Sequence, residues 1–311
     1  MQTISKSATG VSHGKIILMG EHSVVYGEPA IALPFRTVTI EALTSYSKGD
    51  VTINSAYFVG PLQDAPQSLD NLKALVNATC KKLDKPARNF DITIKSIIPS
   101  ERGLGSSAAV SGAIVRSLYA YFDTELTNDD LLALIDVGET IAHGNPSGLD
   151  AWTTSSDSPI YYQAGDHFEP IELAMDAYLI VADTGIKGET KAAVNGIQKL
   201  LNNFPEYTEK AIRKLGKLAN DSKVTLIEND SEMLGHYMNR AHHYLRKLNV
   251  SDRALDHLVD VSIENGALGA KLTGGGRGGC MIALAENLDD ANIIAKALED
   301  GGATSTWIYN L

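Results

Sequence analysis

Three glycine-bearing segments, spread from one end of the chain to the other, restrict what it can fold into more than any other feature. They are Gly14-Lys15-Ile16-Ile17-Leu18-Met19-Gly20-Glu21-His22, then Pro99-Ser100-Glu101-Arg102-Gly103-Leu104-Gly105-Ser106-Ser107-Ala108-Ala109, and finally Lys271-Leu272-Thr273-Gly274-Gly275-Gly276-Arg277-Gly278-Gly279-Cys280. Glycine lets another backbone or a ligand approach the main chain closely, so each segment marks a place where backbone does the contacting. The second follows an alternating run, Phe90-Asp91-Ile92-Thr93-Ile94-Lys95, that reads as a half-buried strand. It precedes Val110, Ile114, Leu118 and Tyr121 or Phe122, which recur at helical spacing. Strand, glycine turn and helix in that order aim unpaired N–H groups and a positive dipole end at the turn, a site for phosphate oxygens. A serine N-cap after a glycine turn has the same appearance. Gly-x-x-x-x-Gly-Lys-[Ser/Thr] does not occur, which disfavours the P-loop class.

Around these segments the chain reads as an unequal mixture of strands and helices. The first 60 residues give short apolar runs, Lys15 to Met19 and Arg36 to Leu43, broken by Gly20, Gly27, Pro34 and Gly49. Helices are expected at Ser68 to Leu83 and, with Thr127 or Asn128 as cap, from there to about His143, ending at Gly144-Asn145-Pro146-Ser147-Gly148. Residues Ser156 to Glu169 have the composition of a boundary. Beyond it come a strand at Ala177 to Ala182 and helices at about Lys187 to Leu201, Thr208 to Glu228, Glu232 to Leu248 and Asp252 to Asn265, the last with Gly266 at its end. Strands at Cys280 to Ala285 and Thr304 to Tyr309 flank a helix at Asp289 to Glu299. This lack of regular alternation predicts an α+β class with helices against antiparallel sheets. The length fits two domains or one large one, and the boundary stretch divides it into expected domains 1–165 and 166–311.

Composition narrows the partners. A chain of 311 residues with 44% hydrophobic and 21% charged residues can bury real cores and is not disordered. Its formal net charge of -11 opposes nucleic acid and anionic membranes, and no apolar run approaches the ~18 residues of a membrane span, so a cytoplasmic location is expected. Cys80 and Cys280 lack Cys-x-x-Cys spacing. A disulfide or a metal pair is the functional reading; two buried thiols in a reducing compartment is the expected one.

The order and detail of the three segments resemble the GHMP kinase superfamily, and the first resembles its mevalonate kinase family. Galactokinases carry an aspartate where Val24 stands, phosphomevalonate kinases show Gly-Glu-Tyr in place of Gly20-Glu21-His22, and homoserine kinases lack the feature. Met238-Asn239-Arg240-Ala241-His242, and Val250-Ser251 leading to Gly266 through Gly274, extend the likeness over nearly the whole chain. The resemblance implies a two-domain fold binding ATP and substrate in the cleft between the domains, and phosphorylation of the primary hydroxyl of mevalonate. Other acceptors of the same superfamily, or a silent nucleotide and metabolite sensor, are the alternatives. Retention of Lys15, Ser107, Glu139 and Asp150 argues against silence.

Site residues follow from the same likeness. Asp150, in Asn145-Pro146-Ser147-Gly148-Leu149-Asp150, matches the catalytic aspartate, and Lys15 the lysine beside it and the transferred phosphate. Pro99, Arg102, Gly103, Leu104, Gly105, Ser106, Ser107 and Ala108 match the ATP loop. Ser107 and Glu139 match the Mg²⁺ ligands, and hard oxygens suit that cation. Glu21, His22, Thr184 and Gly275, with Lys15 and Asp150, match the substrate surroundings, His22 shaping the pocket without transferring a proton. Arg277 stands where the family usually has a small or apolar residue and is expected to point to solvent, a phosphate contact being the alternative. His236, His242 and His243 read as packing and surface residues. Family members are often dimers, so a homodimer is among the arrangements the likeness admits.

Overall fold

The computed structural model of the protein describes residues 6–97, 101–143, 147–163 and 167–311, with the side chains of His143 and His167 left aside. Pro99 of the expected ATP loop lies outside the described residues. The chain forms two compact units whose described residues interleave along the sequence: 6–14, 38–97 and 105–156 in the first, 15–37, 101–104 and the rest from 157 onward in the second. Two long strands, β1 (Ser7–Met19) and its neighbour β2 (Ala30–Asp50), run through both.

The expectation of short strands in this region is corrected. Strand β2 is 21 residues long and passes through Pro34 and Gly49. Proline lacks an N–H, and Pro34 lies between Ala32, where pairing with one neighbour strand stops, and Ile40, where pairing with another begins. Among the described residues no ladder on that edge needs its amide.

In the first unit β2 pairs antiparallel with β5 (Arg88–Ser96), Ile40 opposite Ser96 through Tyr46 opposite Phe90. The short β3 (Thr52–Asn54) lies parallel to β5 and antiparallel to β4 (Val59–Pro61). Phe90 and Ile92 of β5 are fully buried, as its alternation predicted. Helices α1 (Asp70–Lys82), α2 (Ser106–Tyr121), α3 (Asn128–His143) and α4 (Leu149–Ser155) complete the unit. Helix α2 packs on α1, α3 and α4, which is why it is buried nearly all round instead of along one stripe. Thr127 caps α3, its Oγ1 accepting from the Asp130 N–H at 3.1 Å.

In the second unit the first residues of β2 pair with β6 (Ile160–Gln163), and β6 with β7 (His167–Pro170), so part of the expected boundary stretch is strand. A separate antiparallel sheet holds β8 (Tyr178–Asp183), β9 (Gly269–Thr273), β10 (Cys280–Ala285) and β11 (Ser305–Asn310), in the order β11-β8-β10-β9. Its helices are α5 (Thr190–Asn203), α6 (Pro205–Glu228), α7 (Ser231–Lys247), α8 (Arg253–Glu264) and α9 (Leu288–Asp300). Helix α5 begins later than Lys187 because Gly188 and Glu189 give their N–H groups to Glu101 and Gly276. Helix α6 begins earlier than Thr208, at a proline preset for a first helical position.

Helix α7 covers the open edge of β9. A Cβ on Gly269 would fall 2.0 Å from the Gly235 carbonyl oxygen, so the two backbones touch. One turn on, Asn239 Oδ1 accepts from the Ala270 N–H at 2.9 Å and its Nδ2 donates to the Leu268 carbonyl at 3.2 Å. The next turn brings His242, whose Nδ1 accepts from the Leu272 N–H at 3.4 Å. The Asn-x-x-His spacing thus lets a helix satisfy alternate residues of a strand edge. His236 and His243 are exposed on the same helix, and both cysteines are buried free thiols. Among the described residues no helix is long and apolar enough to cross a membrane.

Candidate active site

In the first unit the chemistry gathers where α2 begins. Gly105 occupies the N-cap with φ 72°, and among the described residues no side chain caps the helix. The first-turn amides, from Ser106 to Ala108, are therefore left to an external acceptor such as a phosphate oxygen. Helices α2 and α3 run antiparallel where they meet: a Cβ on Gly112 would stand 3.4 Å from Ile135 Cδ1, and one on Gly138 3.0 Å from Ser111 Oγ. Moving one turn toward the start of α2 reaches Ser107, and one turn past Ile135 on α3 reaches Glu139. Glu139 is 3% exposed, and the Ser107 hydroxyl is buried with no hydrogen-bond partner among the described residues.

A buried carboxylate and an orphaned hydroxyl on facing helix positions fit a hard divalent cation such as Mg²⁺. Among the described residues no three His, Cys, Asp or Glu side chains cluster, so phosphate and water oxygens would complete such a shell. Asp150 lies in the first turn of α4, after Gly148 at φ 77°, and is half-buried.

In the second unit the third glycine segment holds the first. Lys271 and Thr273 share a face of β9. Lys271, fully buried, pairs with the equally buried Glu21 and donates to the Leu272 carbonyl at 2.8 Å. Burial raises the Glu21 carboxyl and lowers the Lys271 amine, and their mutual attraction opposes both movements. Thr273 Oγ1 accepts from the Ile17 N–H at 3.1 Å and donates to the Ile17 carbonyl at 2.9 Å. Two residues beyond, the Gly275 carbonyl accepts from His22 Nε2 at 3.1 Å, which fixes the tautomer. Burial lowers the His22 pKa from 6.5 to about 4, against the pull of that hydrogen bond and with the help of the Arg277 charge. The imidazole is neutral at pH 7.

His22 also carries backbone strain. With φ 60° and ψ -39°, and Ser23 N–H donating to the Glu21 carbonyl at 2.6 Å, it centres a γ-turn of the rare, strained kind. Strain of this sort persists only where the surroundings over-determine it, here through buried partners on both sides.

The second and third segments meet at Gly103 and Gly274. Both have positive φ, and a Cβ on Gly274 would fall 2.7 Å from the Gly103 carbonyl oxygen. Next to them Arg102 donates through Nε to Asp183 at 3.0 Å and through Nη2 to the Gly185 carbonyl at 3.0 Å. Thr184 Oγ1 donates to the Gly279 carbonyl at 2.7 Å. Asp183, Cys280 and Thr273 lie in register across β8, β10 and β9, so one end of that sheet carries all these loops. Lys15 is 3% exposed, and its N–H donates to the Leu104 carbonyl at 2.9 Å.

Residues 71–156 match the GHMP kinases N terminal domain, and residues 209–304 the GHMP kinases C terminal domain. A mevalonate kinase of Thermococcus sibiricus is 36% identical over 93% of this chain and 91% of its own. The chain belongs to the mevalonate kinase family of GHMP kinases. Among solved structures, L. major mevalonate kinase in complex with R-mevalonate superposes with a TM-score of 0.85 at 28% identity, over 99% of this chain and 97% of that one. Mevalonate kinase from methicillin-resistant Staphylococcus aureus gives 0.74 at 35% identity, over 98% and 99%.

Within this mevalonate kinase family member the expected residues fall into two groups. Gly105, Ser106, Ser107, Ala108, Glu139 and Asp150 belong to the first unit. Lys15, Glu21, His22, Arg102, Gly103, Leu104, Thr184 and Gly275 belong to the second. Arg102 and Glu21, expected at ATP and substrate, have protein partners, Asp183 and Lys271. Arg277 does not simply reach solvent: its Nε donates to the Asn249 carbonyl at 3.1 Å, and a Cβ on Gly196 of α5 would meet its guanidinium at 2.8 Å. Lys271, Thr273 and Asp183 lie within the sequence motifs, and their roles emerge only from the fold. The signal for the first two was available, since a polar residue on either side of Leu272 repeats with the period of one strand face.

Proposed function

We propose that the protein transfers the γ-phosphoryl group of ATP to the primary hydroxyl of mevalonate, giving 5-phosphomevalonate and ADP. The observation that carries this reading is kinship with mevalonate kinases over nearly the whole chain, joined to the Gly20-Glu21-His22 segment that separates this family from its relatives.

Each role follows from the chemistry of its residue. The amides from Gly103 to Ala108 cradle the phosphates, whose negative charge the α2 dipole favours. Asp150 accepts the proton of the acceptor hydroxyl and orients its oxygen for in-line attack on phosphorus. Lys15 offsets the charge that develops on the transferred group. Neutral His22, with Gly275 and Thr184, shapes the acceptor pocket, and Glu21 with Lys271 holds the strained turn that presents His22. Ser107 and Glu139 would hold Mg²⁺, which when bound would supply positive charge to offset that of the phosphates. Two buried thiols suit the reducing cytoplasm, where we place the protein.

An ADP-release assay with Mg-ATP against mevalonate, phosphomevalonate, homoserine and galactose tests the assignment. Mevalonate should give the highest kcat/KM. Equal or faster turnover of another acceptor would remove the mevalonate reading and leave the kinase fold standing.

A further inference from the structure

Lys15 sits on β1 two residues before Ile17, and in a strand these residues direct their N–H and C=O groups to the same edge. On that edge the Lys15 N–H is bound by the Leu104 carbonyl at 2.9 Å. Both backbone groups of Ile17 are bound by a single side-chain atom, Thr273 Oγ1, at 3.1 and 2.9 Å. A hydroxyl can do this because it donates once and still accepts. Thr273 is 1% exposed and Ile17 8%, so bulk water does not share the work. The stitch joins residues 256 positions apart.

Its anchor is firm. Thr273 ends β9, opposite Cys280 of β10, and the open side of β9 is held by Asn239 and His242 of α7. Gly274, the next residue, is locked against Gly103. A small displacement of Thr273 is therefore resisted from three directions, and what it holds is the stretch of β1 that carries Lys15.

We propose that Thr273 is a positioning residue for phosphoryl transfer, fixing through Ile17 where the Lys15 ammonium stands. The proposal rests on the reading of Lys15 as the group that offsets charge during transfer. Valine matches threonine in shape but binds neither Ile17 group, whereas serine keeps both hydrogen bonds. Hydroxyl chemistry, not volume, is what the position requires.

The test compares wild type, T273V, T273S, K15M and the double variant T273V/K15M. Single-turnover rates are measured at saturating Mg-ATP and mevalonate, with ATP affinity by titration and KM for mevalonate. A misplacement of about 1 Å can cost about a hundredfold in rate, so T273V should lose about ten- to a hundredfold in kcat. KM and ATP affinity should stay within about threefold, and T273S should recover the rate to within about threefold. In the K15M background T273V should cost less than about twofold, because residues acting through one event are not additive. A merely structural role would not produce that last result. If T273V does not fold by circular dichroism, T273C, similar in size with a weak S–H donor, should fall between T273S and the losses expected for T273V.

Several outcomes overturn the proposal alone while wild type phosphorylates mevalonate. They are an unchanged T273V, a T273S or T273C rate that does not follow hydroxyl character, or an undiminished T273V loss in the K15M background. Failure of wild type to phosphorylate mevalonate would overturn the reading of the site, and the proposal with it.

Discussion

Replacing Lys271 by methionine removes one partner of an ion pair in which both side chains are fully buried. Breaking a buried pair from one side usually costs about 3–5 kcal/mol, because the remaining charge is left without compensation. Glu21 has an escape, which is to take up a proton. From an ordinary carboxyl pKa of 4.5, protonation at pH 7 costs about 3.4 kcal/mol, so the loss in K271M should lie near the lower end of that range. The mechanism gives the loss a pH signature. In K271M burial raises the Glu21 pKa in the folded state, so between 4.5 and that raised value the folded chain binds a proton that the unfolded chain lacks. Stability then falls as pH rises through this window, by up to about 1.4 kcal/mol per pH unit, and acidification from pH 7 should restore part of the loss. E21Q/K271M, with no buried charge at either position, should lose less than K271M at pH 7.

Urea unfolding followed by tryptophan fluorescence reads this out. Trp307 belongs to the same unit as the pair and packs edge-on against Phe35 at 6.3 Å, and a W152F background isolates its signal. A K271M loss below about 1 kcal/mol, or one that does not shrink on acidification, would show that the pair is not the buried charge compensation described above.

Four further outcomes are expected. In S107A and E139A the Mg²⁺ concentration for half-maximal rate should rise and turnover should fall with circular dichroism unchanged; a wild-type metal titration in E139A would reduce Glu139 to a buried helix residue. D150N should lose about a hundred- to ten-thousandfold in single-turnover rate with ATP affinity kept, since an amide cannot take the hydroxyl proton. His22 and His242 have pKa values lowered by burial from 6.5 to about 4, so below pH 6.5 the unfolded chain gains protons that the folded chain refuses. Stability present above pH 6.5 should drain away toward pH 4, by at most about 3 kcal/mol per histidine; urea midpoints from pH 7 to 4.5 measure it, and an H242N protein with an undiminished slope would exclude His242 as a source. G235A should destabilise strongly, because its Cβ would fall 2.6 Å from Leu268 backbone, and an unchanged melting temperature would contradict the α7–β9 contact.

Local signals in the sequence suffice where one interaction dominates. The cap at Thr127 or Asn128, the alternation of Phe90 and Ile92, and the end of α8 before Gly266 each reflect forces within a few residues. Strand β2 was harder, because the harmlessness of Pro34 depends on where two other strands stop and start. The candidate site was legible as three segments carrying phosphate chemistry. Their mutual holding was not: that Lys271 answers Glu21, Thr273 stitches Ile17 and Gly275 receives His22 depends on partners some 250 residues away. A lysine between Ala270 and Leu272 looks like an interruption of an apolar strand until its partner is known. Arg102 shows the same limit, since a cation in a phosphate loop invites a phosphate reading, and only the fold reveals Asp183 beside it.

The proposed reaction moves one phosphoryl group to one hydroxyl of mevalonate. Phosphorus NMR of the protein with Mg-ATP and mevalonate tests it without a coupled assay. A single new phosphomonoester signal, coupled to the C5 protons and growing in equal amount with ADP, is the predicted result. Appearance of inorganic phosphate alone, or a spectrum in which ATP and mevalonate persist unchanged, would contradict the account.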